Sequence, residues 1–137
     1  MADAVIAGAG DDAIAGVEVI VKTALEADAA DVLAADGILL GTPENFGYMS
    51  GALKYFFDRV YCPCLEETQG LPWGLFIRAG NDGLGAKTSI QRIVTGLKWR
   101  SIGEPLIVAG EAVTDADIDA CTELGMTLAA GLEAGIY

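Results

Sequence analysis

The 137-residue chain contains no histidine. That removes imidazole acid–base chemistry, histidine-containing catalytic triads and histidine-ligated metals. Cations are scarce: 8 Lys and Arg stand against 20 Asp and Glu, a formal charge of −12. Phosphate-backbone contacts need clustered Lys and Arg, so neither nucleic acid nor an anionic membrane is expected as a partner. Cysteine is sparse and odd in number, with Cys62, Cys64 and Cys121. Cys62-Pro63-Cys64 places one residue between the sulfurs, unlike the C-x-x-C of redox or zinc sites. All three are read as free thiols of a reducing cytoplasm, and no metal site is expected. No apolar run approaches the roughly 20 residues of a membrane span. The opening Met1-Ala2-Asp3 lacks the basic start of a signal peptide. What the chain has is apolar bulk, 53% of its residues, in a length suited to one domain. A chain of this size buries roughly two thirds of its unfolded surface.

Periodicity divides the chain into alternating elements. Ala2, Val5, Ile6 and Ala9 have helical spacing, ended by Gly8, Gly10, Asp11 and Asp12. Val17-Glu18-Val19-Ile20-Val21 is a β-branched run and predicts a strand. Asp28 is placed to cap a short helix to Ala35. Residues 36–41, with Ile38-Leu39-Leu40, predict a strand buried on both faces. Ser50 caps a helix to about Val60, with Leu53, Phe56 and Phe57 facing the core, and a loop bracketed by Pro63 and Pro72 follows. A strand over 73–77, a helix over 86–97 and a strand over 105–110 come next. Thr114 and Asp117 form a capping box for a last helix with inner stripe Cys121, Leu124, Leu128 and Leu132. The order α-β-α-β-α-β-α-β-α implies an α/β fold, a parallel sheet with helices on both faces.

Two glycine-rich stretches resemble nucleotide loops and fail on spacing. Gly8-Ala9-Gly10-Asp11-Asp12-Ala13 matches G-x-G-x-x-A, but too few residues separate it from Val17 to hold a crossover helix. Gly80 to Thr88 approaches a phosphate loop, with one extra residue before Lys87. That insertion rotates the lysine by about 100° around the helix, away from a phosphate. A glycine loop at the carboxyl end of a strand remains, with helix N–H groups expected to be free for a polar or anionic edge.

The most informative stretch is Gly41-Thr42-Pro43-Glu44-Asn45-Phe46-Gly47-Tyr48-Met49-Ser50-Gly51. It reads as a strand stopping at a Gly-Thr-Pro corner, a loop with two aromatics, and a helix start. Ligands of α/β sheets bind at such carboxyl edges. If the strands before them pair, loops 41–50 and 78–85 are neighbours. Phe46 and Tyr48 then either wall a cleft for a flat polar ligand or merely cover the sheet edge; the residues alone leave both open.

The register from Gly41 through Ser50, Phe56 and Asp58-Arg59 resembles the flavin-binding segment of the flavodoxin-like superfamily, closest to its WrbA-type NAD(P)H:quinone oxidoreductases. The resemblance implies a flavodoxin-like three-layer α/β/α fold over residues 1–137. It implies FMN as cofactor, with Thr42, Pro43, Glu44, Asn45, Phe46, Gly47 and Tyr48 at the isoalloxazine and ribityl parts. Ala79, Gly80, Asn81, Asp82 and Gly83 would meet the pyrimidine edge through backbone N–H groups. NAD(P)H would be the cosubstrate and a quinone or similar small molecule the acceptor. No catalytic side chain is required, since the flavin carries the chemistry. Family enzymes often assemble as homo-oligomers through the helices after the flavin loop; Tyr61 and Trp99 are candidates for such a contact, with burial in the core the simpler reading.

One family feature has no counterpart. The family opens with a strand and a Ser/Thr/Gly-rich loop that holds the FMN phosphate, and Met1 to Ala9 resembles the helix after that loop. The expectation is an N-terminally truncated domain without its central strand, through a late gene start or a fragment, with another chain filling the gap as a third explanation. Val17–Val21 would then lack a neighbour, and FMN would bind weakly or not at all. The alternatives to an oxidoreductase are a flavodoxin-type electron carrier and a non-catalytic flavodoxin-like module.

Overall fold

A computed structural model describes all residues, Met1 to Tyr137. Helix α1 (Ala2–Ala9) and helix α2 (Ala29–Ala34) precede strand β1 (Ile38–Asn45), the short strand β2 (Tyr48–Met49) and helix α3 (Gly51–Cys64). Strand β3 (Pro72–Ala79), helix α4 (Leu84–Gly96), strands β4 (Arg100–Ser101) and β5 (Leu106–Ala109) and helix α5 (Asp115–Glu133) complete it. β3 is central. It pairs in parallel with β1, Leu40 opposite Leu75 and Thr42 opposite Ile77. On its other side it pairs in parallel with β4 at its start and β5 at its end. β4 and β5 therefore act as one interrupted strand, where sequence predicts a single strand over 105–110.

Alternation along β3 builds two layers. Trp73, Leu75, Ile77 and Ala79 are buried in a core shared with Leu53, Phe56, Phe57 and Val60 of α3 and Ile90 and Val94 of α4. Trp99 belongs to this core, its indole N–H donating to Thr68 Oγ1 at 2.9 Å, so it is no external contact. Tyr61 packs half-buried against it. On the opposite face α5 packs on the sheet and α1 packs on α5. The α1–α5 approach is close enough that a Cβ on Gly125 would lie 2.1 Å from the Val5 carbonyl oxygen. The predicted caps form: Asp28 accepts from the Asp31 N–H, Ser50 from Leu53 and Thr114 from Asp117.

Three expectations are corrected. Val17–Val21 is not a strand; its backbone joins no ladder and makes no backbone hydrogen bond. Ile20 and Val21 are 70% and 60% exposed. A strand needs a neighbour, and no strand pairs with this run or with the outer edge of β1 at residues 38–43. Second, the chain does not turn at Gly-Thr-Pro. β1 continues to Asn45, with Pro43 opposite Arg78; a proline with no N–H to donate is tolerated on an edge strand. Third, Pro63 lies inside the last turn of α3 and Pro72 opens β3, so the intervening loop is shorter than the prolines suggest.

Candidate functional site

The carboxyl ends of β1 and β3 carry the two loops singled out from sequence, and parallel pairing sets them side by side. After Asn45 the chain reverses in a two-residue turn and returns as β2, Asn45 pairing with Tyr48. Phe46 and Gly47 both have positive φ, 53° and 68°, as the primed turns of two-residue hairpins require. Phe46 is fully exposed and Tyr48 is 41% exposed. A phenylalanine in the left-handed region costs about 1–2 kcal/mol, and nothing within the chain offsets this by covering its ring.

Thr42 fixes the base of the hairpin. It is buried; its hydroxyl accepts the Ser50 N–H at 3.0 Å and donates to the Pro43 carbonyl at 2.8 Å. Glu44 ties the hairpin to the second loop, accepting from the Gly83 N–H at 3.3 Å and the Ala86 N–H at 3.2 Å. The carboxylate thus caps α4, a favourable place for negative charge. The loops also touch through backbone: a Cβ on Gly85 would lie 1.8 Å from the Gly47 carbonyl oxygen.

These bonds correct the expectation of a helix N-terminus open to a ligand. Glu44 takes the amides of Gly83 and Ala86, and Asp82 Oδ1 takes that of Leu84 at 3.0 Å. The amides of Gly80, Asn81 and Asp82, all exposed, make no hydrogen bond within the chain. Of the residues named from sequence, Pro43, Asn45, Phe46, Gly47, Tyr48, Gly80, Asn81 and Asp82 lie at the surface of one edge. Thr42, Ala79 and Gly83 are buried and Glu44 is half-buried; their contacts hold the loops in place.

Arg78, not anticipated from sequence, has a matching role. Its guanidinium donates to the carbonyls of Ala79, Val108, Gly110 and Glu111, joining the ends of β3 and β5. Only its place two residues before Gly80 hinted at this. Beside it a cavity of about 290 Å³ opens on the α1 side of the sheet, lined by Met1, Ala2, Gly41, Thr42, Pro43 and Phe76. Lys87, which the spacing had turned away from a phosphate, pairs with Glu104 at 3.0 Å.

Fold and loops together define a flavodoxin-like α/β domain. Residues 14–114 match the family model described as NADPH-dependent FMN reductase. A flavodoxin of Aquifex aeolicus is 33% identical over 144 aligned positions, covering 94% of this chain and 77% of that protein. A probable NAD(P)H dehydrogenase (quinone) of Arabidopsis thaliana is 37% identical over 73 residues, 53% of this chain but only 27% of that protein. Among solved structures, a flavodoxin from the domain Archaea superposes with a TM-score of 0.81 at 20% identity, over 96% of this chain and 87% of that one. The chain belongs to the NADPH-dependent FMN reductase family of the flavodoxin-like superfamily.

Proposed function

We propose that this chain is an FMN-dependent NAD(P)H oxidoreductase with a quinone or similar small molecule as acceptor. The observation that carries the reading is the paired loop edge: exposed Phe46 and Tyr48 on one loop, three unbonded amides at Gly80–Asp82 on the other, and Glu44 locking the two together. The fit can be judged from donors and surfaces. An isoalloxazine ring offers flat faces for the aromatics and a carbonyl-rich pyrimidine edge for N–H donors; the loops supply both. Bound there, FMN supplies the two-electron chemistry between NAD(P)H and the acceptor. The protein's share is to hold the ring with Pro43–Tyr48 on one side and Gly80–Asp82 at the edge. Thr42, Ala79 and Gly83 keep that spacing. No side chain is required to move a proton.

The phosphate side is poorer. Of the side chains lining the cavity beside α1, only those of Thr42 and Arg78 carry a hydroxyl or a guanidinium, and both are engaged with carbonyls or amides of the chain; Met1 and Ala2 add only the start of α1, which has no side-chain cap. Each charge-assisted hydrogen bond is worth about 1.5–3 kcal/mol, so lacking two or three lowers affinity by about 10³-fold or more. We therefore expect FMN to bind with a dissociation constant above about 1 μM. Titration with quenching of flavin fluorescence tests this; a submicromolar value overturns it, and no saturable binding removes the flavin reading itself.

A second reading is favoured by the Aquifex likeness, which covers nearly the whole chain. On that reading the domain is an electron carrier that meets a redox protein, and its acidic surface suits docking by charge. Steady-state NAD(P)H oxidation with a quinone by the FMN-loaded chain separates the two, since a carrier turns over almost none.

A further inference from the structure

We propose that the groove between α3 and α4 binds the phosphate groups of the nicotinamide nucleotide that delivers electrons; this rests on the oxidoreductase reading above. The groove, about 560 Å³, starts at Tyr48 and Gly85, where the two site loops meet. Thr88, Ser89 and Arg92 project into it from α4, and Lys54 lines it from the first turn of α3. Thr88 and Arg92 stand four residues apart, on one face of the helix. Leu84 and Ile93 supply apolar wall.

Charge singles this groove out. The chain carries only 8 cations against 20 acids, yet two of the cations line the groove and no acid does. Most of the others are committed. Lys22 pairs with Asp31 and Lys87 with Glu104. Arg59 and Arg78 hold backbone carbonyls, and Arg100 donates to the Ile136 carbonyl and lies over Tyr137. Arg92 has no partner at all among the hydrogen bonds and ion pairs of the chain, whereas Lys54 holds Asp58 one turn along α3 and keeps further ammonium donors for a second acceptor. A guanidinium fork, an ammonium and the Thr88 hydroxyl in a groove free of acid form a phosphate-recognition set, while the Ser89 hydroxyl donates to the Ala86 carbonyl at 2.9 Å and only walls the groove. The lining Tyr48 belongs both to this groove and to the ring-side loop, so a ligand reaching from one to the other needs a flat head and an anionic body.

The test uses the whole chain, without FMN, and inorganic pyrophosphate followed by amide NMR. Saturable shifts at Lys54, Thr88, Ser89 and Arg92 are expected; shifts confined to the N-terminus of α1, or none, overturn the proposal. Arg92→Gln is expected to weaken both pyrophosphate and NADP⁺ about tenfold, the loss of one charge-assisted contact, and Arg92→Lys to recover part of it. Wild-type affinity in Arg92→Gln also overturns it. Arg92 is exposed, so the variant keeps the fold, which an unchanged circular dichroism spectrum checks. FMN affinity measured separately distinguishes the two readings. If pyrophosphate maps to the groove and FMN does not bind, the flavin assignment fails and the anion site stands; the converse result leaves the flavin assignment and removes the groove.

Discussion

β3 and the outer edge of β1 show two conditions of the same sheet. β3 has a parallel neighbour on each side and buries Trp73, Leu75, Ile77 and Ala79. β1 has β3 on one side and, beyond the hairpin, no strand on the other. The run best suited to a strand by composition, Val17-Glu18-Val19-Ile20-Val21, is outside the sheet, whereas Gly41-Thr42-Pro43-Glu44-Asn45, with residues that disfavour strands, is inside it. β propensity describes a fit to a half-buried pleated surface; without that surface the valines and isoleucine have nothing to fit.

The comparison breaks most visibly in the core. Ile77→Ala is expected to cost about 2–5 kcal/mol in urea unfolding, while Ile20→Ala changes stability by no more than about 0.5 kcal/mol. Equal costs for the two would show that Val17–Val21 is packed against a neighbour in solution. Next in size, Thr42→Val strands the Ser50 N–H and is expected to cost about 1–3 kcal/mol, placing the hairpin base with the core side of the comparison. Glu44→Ala removes the cap from α4 and is expected to cost about 1 kcal/mol. It also unties the two loops, so flavin fluorescence titration should show weaker FMN binding than the stability loss alone predicts; unchanged affinity would detach Glu44 from the site. The smallest effect concerns pH. The hydrogen bonds from the Thr114 hydroxyl and amide hold the Asp117 carboxyl below its usual 3.8. A depressed carboxyl stabilises the fold above its unfolded value and loses that contribution as pH falls through the folded one. The Thr114–Asp117 cap should therefore weaken only below about pH 4, with Asp117→Asn flattening the acid limb of a melting-temperature profile.

Much of this was legible in the sequence because the signals were local. Ser50, Asp28 and Thr114 cap helices through their own third neighbours, and Leu53, Phe56 and Phe57 follow helical spacing into the core. The adjacency of the two site loops followed from strand pairing. What escaped was set by distant partners. Glu44 reaches amides about forty residues away, so loop composition suggested free N–H groups where the fold fills them. The strand at Val17–Val21 failed for the same reason, since a strand is defined by what lies beside it. Pro43 read as a stop because proline ends most strands, and only an open edge permits it.

The contact of the Gly47 carbonyl with Gly85 has a consequence for how the site varies. Where two backbones touch, no side chain at the contact can swing aside, so the hairpin tip and the start of α4 are held against each other at Gly47 and Gly85. An alanine at Gly85 would set its Cβ against the Gly47 carbonyl, so one of the two backbones would have to give way.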